Sequence, residues 1–95
     1  MDLSELLQRC RERDALAWEV LVRQYQSRIY SISCTYVGSR DEARDLSQEI
    51  FVRIYQRLDQ CRDAERFPGW MIRIARNASL DHLRRLRARP PSSVC

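Results

Sequence analysis

The chain predicts an all-α fold, a compact bundle of about four helices. Three observations carry this reading. Glycine and proline are scarce: two glycines, Gly38 and Gly69, and three prolines, Pro68, Pro90 and Pro91, all fall near the edges of periodic stretches, and both residue types weaken helix interiors. Apolar residues recur at spacings of three and four through most of the chain, as one buried face of a helix requires. Helix-start residues, Asp14 and Ser39, stand directly ahead of two of those stretches. At 95 residues and 44% hydrophobic content, the chain suits one domain with one core and lies outside the disordered range.

The first helix is expected over Asp2–Arg11, where Leu3, Leu6, Leu7 and Cys10 fit one face. The second runs from Ala15 to about Val37 behind an Asp14 N-cap. Its apolar positions are Ala17, Trp18, Leu21, Val22, Tyr25, Ile29, Ile32 and Tyr36, and Cys34 is expected to pack in the core with them. Gly38 follows where a helix commonly ends in the left-handed conformation. Ser39 and Glu42 form an S-x-x-E capping box for the third helix, Asp41–Leu58. The turn between helices two and three is so short that they should run antiparallel. Ala43, Leu46, Ile50, Ile54 and Leu58 form the buried stripe of helix three, widened by Tyr55. Asp45, Gln48, Glu49, Arg53 and Gln56 fall on its other side. Asp59–Phe67 is polar and turn-prone and reads as a loop of about eight residues. Pro68 then sits at or near the first position of a fourth helix that runs to about Arg87. Phe67, Trp70, Met71, Ile74, Ala78 and Leu83 mark its buried side, and Arg73, Arg76, Asn77, Asp81, Arg84 and Arg85 lie largely away from it. Pro90–Pro91 end it, and residues 90–95 read as the start of a linker after a domain at 1–89.

Several function classes fall away. No apolar run approaches the roughly 18 residues of a membrane span, and no signal peptide opens the chain, so a cytoplasmic protein is expected. Cys10, Cys34, Cys61 and Cys95 are 24, 27 and 34 residues apart and His82 is the lone histidine, which argues against a zinc site. Separate reduced thiols are expected, with Cys10 or Cys61 open to oxidants if exposed. No Gly-rich phosphate loop, nucleophile motif or metal constellation is present. Asp45 and Glu49 share one helix face, but no histidine or second acidic helix joins them. An enzyme is not expected, and no cofactor.

Charge is more informative. The net charge is +4, yet residues 1–65 hold ten arginines against twelve acids, and residues 66–95 hold seven arginines against one acid, Asp81. An acidic front and a basic back suggest two surfaces with different partners. The chain has no lysine. Arginine suits bidentate phosphate contact, although a GC-rich codon bias would give the same replacement. On helix four the arginines offer contacts that hold a nucleic-acid backbone without reading its sequence. Asn77 and Asp81, one turn apart, carry short side chains able to read base edges. Arg62, Asp63, Glu65 and Arg66 in the preceding loop could enclose an unstacked base. From the residues alone two readings stand: a solvated basic helix without a partner, and nucleic-acid contact.

The order D-E-A-x-D-L-x-Q-E-x-F-x-x-x-Y-x-x-L, an eight-residue loop and then F-x-x-W-x-x-R-I-A-R-N resembles region 2 of bacterial RNA polymerase sigma factors, in particular the extracytoplasmic-function (ECF) group. DALAWEVLVRQYQSRIYSI resembles the same group's D-x-x-A-F-x-x-L-V-x-x-Y pattern, with Trp18 in place of Phe, and RARPPSS resembles the exit from region 2. The resemblance implies a transcription initiation factor domain. Asp45, Gln48 and Glu49, with Arg53 beside them, would dock on the clamp helices of the polymerase beta-prime subunit, their acidity matched to arginines there. Helix four and its loop would recognise and melt the promoter minus-10 element. Asn77 would face the non-template single strand, with Asp81 one turn on as a candidate for setting base preference. The loop Cys61–Phe67, with Arg62, Asp63 and Arg66, would capture a flipped base, and Arg73, Arg76, Arg84 and Arg85 would hold phosphates. Trp70 is read as core and not as a melting wedge. Two features depart from the family pattern: Cys61 stands where an aromatic is common, and the loop reads Arg-Asp-Ala-Glu-Arg without a glycine. The family's second helical domain, which reads the minus-35 element, is not within these 95 residues. The family also implies an anti-sigma regulator as a partner. Two other classes remain: a helical protein–protein module bound mainly by such a regulator, and a free-standing duplex-binding helix bundle. The second expects a tight turn before its recognition helix, which the long loop before Pro68 does not provide.

Overall fold

The computed structural model describes residues 1–88. The Pro90–Pro91 stop, the linker expected at 90–95 and Cys95 lie outside the described residues. Among these, the chain forms four α-helices and no strand: α1 (Leu3–Arg11), α2 (Ala15–Tyr36), α3 (Arg40–Gln56) and α4 (Phe67–Ala88), with a short 3-10 turn at Leu58–Gln60. Among the described residues, no helix is long and apolar enough to cross a membrane.

Each of the first three helices begins on a side-chain cap. Asp2 accepts from the Glu5 N–H at 2.8 Å, and Asp14 accepts from Leu16 and Ala17 at 3.0 and 3.3 Å. Ser39 Oγ accepts from the Glu42 N–H at 3.1 Å. These bonds satisfy first-turn donors that would otherwise be orphaned. Only this half of the expected capping box forms among the described residues.

The core is the expected set of stripes brought together. Leu6, Leu7 and Cys10 of α1, Ala17, Leu21 and Ile29 of α2, Leu46, Ile50 and Ile54 of α3 and Phe67, Met71, Ile74 and Ala78 of α4 are all buried in one cluster. Helices α2 and α3 are antiparallel neighbours. Near one end of the pair Trp18 meets Tyr55 edge-on, with ring centroids 4.9 Å apart; near the other, the Ser33 and Ser47 hydroxyls lie 3.1 Å apart. Each serine oxygen is also within hydrogen-bond distance of a carbonyl one turn back, Ile29 and Ala43 respectively. Two hydroxyl protons thus serve three contacts, and small side chains let the helices approach closely. Helix α4 packs on both α2 and α3, while α1 packs on α2 and the 3-10 turn.

Four local expectations are corrected. The left-handed helix end is not at Gly38: no described glycine has positive φ, and α2 leaves through an extended Val37. It is at Arg13, φ 65°. There the N–H groups of Arg13 and Asp14 return to the Cys10 and Arg9 carbonyls, both at 3.0 Å, a Schellman ending for α1. The Arg13 side chain compensates for the missing glycine. It donates to the Tyr55 carbonyl at 3.0 Å and lies 4.4 Å from the centre of the Tyr55 ring. Cys34 is exposed, because Ser33 takes the inward position and the next residue points roughly 100° further round. Among the described residues the buried thiols are Cys10 and Cys61, and burial pushes both upward, away from thiolate at neutral pH. The third helix ends at Gln56, and Leu58, though fully buried, belongs to the 3-10 turn. Trp70 is only half-buried, at the edge of the core: it packs against the cluster beside Phe67, with ring centroids 5.7 Å apart, and also lines the loop cavity.

Candidate functional site

The polar side of α3 and the basic side of α4 meet along one seam. Asp45 and Gln48 are exposed, and Glu49 and Arg53 are half-buried against α4. Arg53 Nη1 donates to Asp81 Oδ2 at 2.8 Å, and Arg84 Nη1 donates to Asp81 Oδ1 at 3.2 Å. Arg85 Nη2 donates to Glu49 Oε1. Residues singled out for two different partners therefore pair with one another: Arg53 with Asp81, and Glu49 with Arg85. The hydrogen bond from Arg53 holds the Asp81 carboxyl below its ordinary value. Desolvation opposes it more weakly, and the charges of Arg53, Arg84 and Arg85 add to the lowering. A lowered folded-state value means this contribution is in place above the ordinary carboxylate range and is lost as pH falls through the lowered value. With both Asp81 oxygens accepting from arginines, the free polar edge on this part of α4 is Asn77. His82 Nε2 and the second Glu49 oxygen are buried in the same cleft without a partner among the described residues.

The other end of α4 is open. The loop before it folds over a surface cavity of about 790 Å³, lined by Asp59, Arg62, Asp63, Arg66, Trp70 and Arg73 among others. The loop is built and not slack. Cys61 and Phe67 bury its two ends, at 6% and 0% exposure. Asp63 Oδ1 accepts from the Glu65 N–H at 2.9 Å, and the Asp63 carbonyl accepts from Arg66 at 3.0 Å. The Cys61 thiol lies 3.6 Å from the Asp63 carbonyl. Arg62, Asp63 and Arg66 stay exposed at the rim. From the cavity an exposed stripe continues along α4 through Gly69, Arg73 and Arg76–Asn77, spaced at three and four as one helix face requires.

Of the expected DNA-contacting residues, Arg62, Asp63, Arg66 and Arg73 line the cavity and Arg76 and Asn77 continue from it, whereas Asp81, Arg84 and Arg85 lie in the seam with Arg53 and Glu49 of α3. Gly69 and Asp59 of the cavity were not singled out from the sequence, and Trp70 was assigned to the core. The aromatic spacing that marks Trp70 as core also suits a ring half exposed at the cavity wall. A second groove of about 430 Å³ flanks Gln48 and is lined by Val22, Tyr30, Arg44 and Phe51.

The Sigma-70 region 2 family model matches residues 21–89. The chain belongs to the sigma-70 region 2 family. This region 2 domain is 35% identical over 89 residues to the RNA polymerase sigma-H factor of Pseudomonas aeruginosa, covering 94% of the chain and 46% of that protein. It is 38% identical over 88 residues to the ECF RNA polymerase sigma-E factor of Escherichia coli K12, covering 93% of the chain and again 46% of that protein. The chain thus spans about half the length of the curated relatives it matches. Among solved structures, an engineered region 2 of sigma-E in complex with GTAAAA superposes with a TM-score of 0.76 at 34% identity. The match covers 87% of this chain and 86% of that one. The all-α region 2 fold expected from the motifs is shown by these matches, and the relatives they name include ECF sigma factors, the group the motifs resemble.

Proposed function

We propose that the chain is the module of an ECF sigma factor that docks on RNA polymerase and recognises and melts the promoter minus-10 element. The observation that carries this reading is the continuous path from the polar loop cavity along the exposed α4 stripe to Asn77. The solved relative of the same fold is in complex with GTAAAA, which supports giving that path to DNA. An unstacked base enters the loop cavity, where its edge meets Arg62, Asp63 and Arg66. Arg73 and Arg76 hold the backbone, and Asn77 reads a neighbouring base edge. Asp45, Gln48 and Glu49 face the beta-prime clamp helices, with Arg53 held beside them by Asp81. Melting draws on the binding free energy of captured bases and needs no nucleotide hydrolysis. The module is a binding device and not an enzyme, and it works in the cytoplasm beside the polymerase. An anti-sigma regulator would act by covering these same two faces.

Asn77→Ala tests the DNA half of the proposal. One or two hydrogen bonds to a base edge correspond to on the order of tenfold in affinity. Fluorescence anisotropy should show that loss on a cognate single-stranded minus-10 segment and little change on an unrelated strand. An equal loss on both strands would show that Asn77 does not read bases.

A further inference from the structure

The loop over the cavity is tied to a distant part of the chain by one side chain. Arg11, in the last turn of α1, donates from Nη1 to the Cys61 carbonyl at 3.1 Å, across fifty residues of sequence. Among the described residues no other side chain from outside the loop donates to its main chain. The tie is oriented from behind: Arg11 Nη2 donates to Gln8 Oε1 at 3.0 Å, and Gln8 Nε2 donates to Glu12 Oε2 at 3.1 Å. Arg11 is partly buried where α1 packs on the 3-10 turn, so its fork is held in one geometry.

The position of this tie matters. The rear of the loop, from Asp63 to Phe67, is fastened to α4 by its own turn hydrogen bonds. Among the described residues, the one main-chain to main-chain hydrogen bond of the front, Cys61 and Arg62, runs from the Cys61 N–H to the Leu58 carbonyl. The Cys61 carbonyl caps the 3-10 turn, and among the described residues Arg11 is its one hydrogen-bond donor. We infer that Arg11 is a positioning residue for the base-capturing cavity: α1, none of whose residues lines the cavity, sets the front wall of the loop by holding the Cys61 carbonyl. The inference rests on the DNA reading proposed above and assigns to α1 a part in that site. A preorganised wall avoids ordering the loop when the base enters, so affinity and selectivity there depend on it.

The effect should be local. Releasing the Cys61 carbonyl loosens the wall that a captured base meets, and the α4 stripe at Arg73 and Asn77 is left in place. The test uses the 95-residue chain and a panel of single-stranded hexamers derived from GTAAAA, each with one base replaced, with affinities read by anisotropy. In Arg11→Ala the preference at one hexamer position should fall by on the order of tenfold, as for loss of a hydrogen bond from a charged donor. Preferences at the other positions should hold, and Arg11→Lys should restore part of the loss. Gln8→Ala, an exposed change that frees the fork without removing it, should give a smaller loss at the same position, and it serves if Arg11→Ala fails to fold. Hydrogen exchange should quicken at residues 61–63 and not in α4. An unchanged preference profile, or equal loss at every position, would overturn the inference while leaving the DNA reading intact. A wild-type chain with no base preference at any position would overturn both.

Discussion

Reversing both carboxylates of the α3 face, Asp45→Arg with Glu49→Arg, is expected to abolish measurable binding to an isolated beta-prime clamp-helix fragment. Two attractive contacts to a basic surface become two repulsive ones. Such changes at an interface cost about 3 kcal/mol or more, on the order of a hundredfold in affinity. The fold should survive. Asp45 is exposed and has no ion-pair partner among the described residues. The Glu49 side chain, 31% exposed, pairs with an Arg85 side chain that is 56% exposed, and exposed pairs contribute little to stability. Far-UV circular dichroism should therefore match the wild type. Asp45→Arg alone separates the two contributions, because it leaves the Glu49–Arg85 pair in place. Full binding by the well-folded double variant in calorimetry would remove α3 from the docking surface.

Phe67→Ala carries the largest expected cost to stability. Phe67 is fully buried, with its ring centroid 5.5 Å from that of Tyr25 on α2 and 5.7 Å from that of Trp70. Truncating a fully buried phenylalanine costs about 3–5 kcal/mol, through lost transfer free energy and the cavity left behind. For a domain of this size that lowers Tm by at least about 12 °C. The position adds a functional consequence. Phe67 is both the first residue of α4 and the rear anchor of the loop, so its loss also frees the cavity wall beside Trp70. Thermal melts followed by circular dichroism give the first effect. A Tm within 3 °C of the wild type, given as a rough bound on a change of under 1 kcal/mol, would mean the core closes without this ring.

Most of the helical frame was legible because it depends on local spacing. The stripe that runs from Ala43 through α3 to Leu58 in the 3-10 turn is apolar at every third or fourth residue, and each of those residues is buried as expected. What was hidden depends on how helices are rotated against one another. Ser33 and Ser79 are fully buried, a place that polarity argues against. Each returns its hydroxyl to a carbonyl one turn back, which removes the desolvation penalty. Cys34 was misassigned for the complementary reason: its apolarity suggested the interior, yet the neighbouring serine holds the inward angle. The Arg53–Asp81 and Glu49–Arg85 pairs join residues 28 and 36 positions apart, and no periodicity within either helix records such a meeting. The 3-10 turn at Leu58–Gln60 is too short to leave a periodic signature. Within the candidate site, Asn77 and the loop residues could be named from motif and composition. The contacts that hold Asp81 and the Cys61 carbonyl could not.

The seam between α3 and α4 also changes how the domain's positive charge should be counted. Counterions are released from DNA only by cations free to replace them at phosphates. Arg53, Arg84 and Arg85 already face carboxylates of the same chain, whereas Arg62, Arg73 and Arg76 are exposed with no such partner among the described residues. On the proposed DNA reading, the ionic-strength dependence of binding by the isolated domain should therefore follow the second group and fall short of the arginine total. A cationic partner that takes Glu49 for itself would return Arg85 to the free group, and the dependence would steepen by about one phosphate's share.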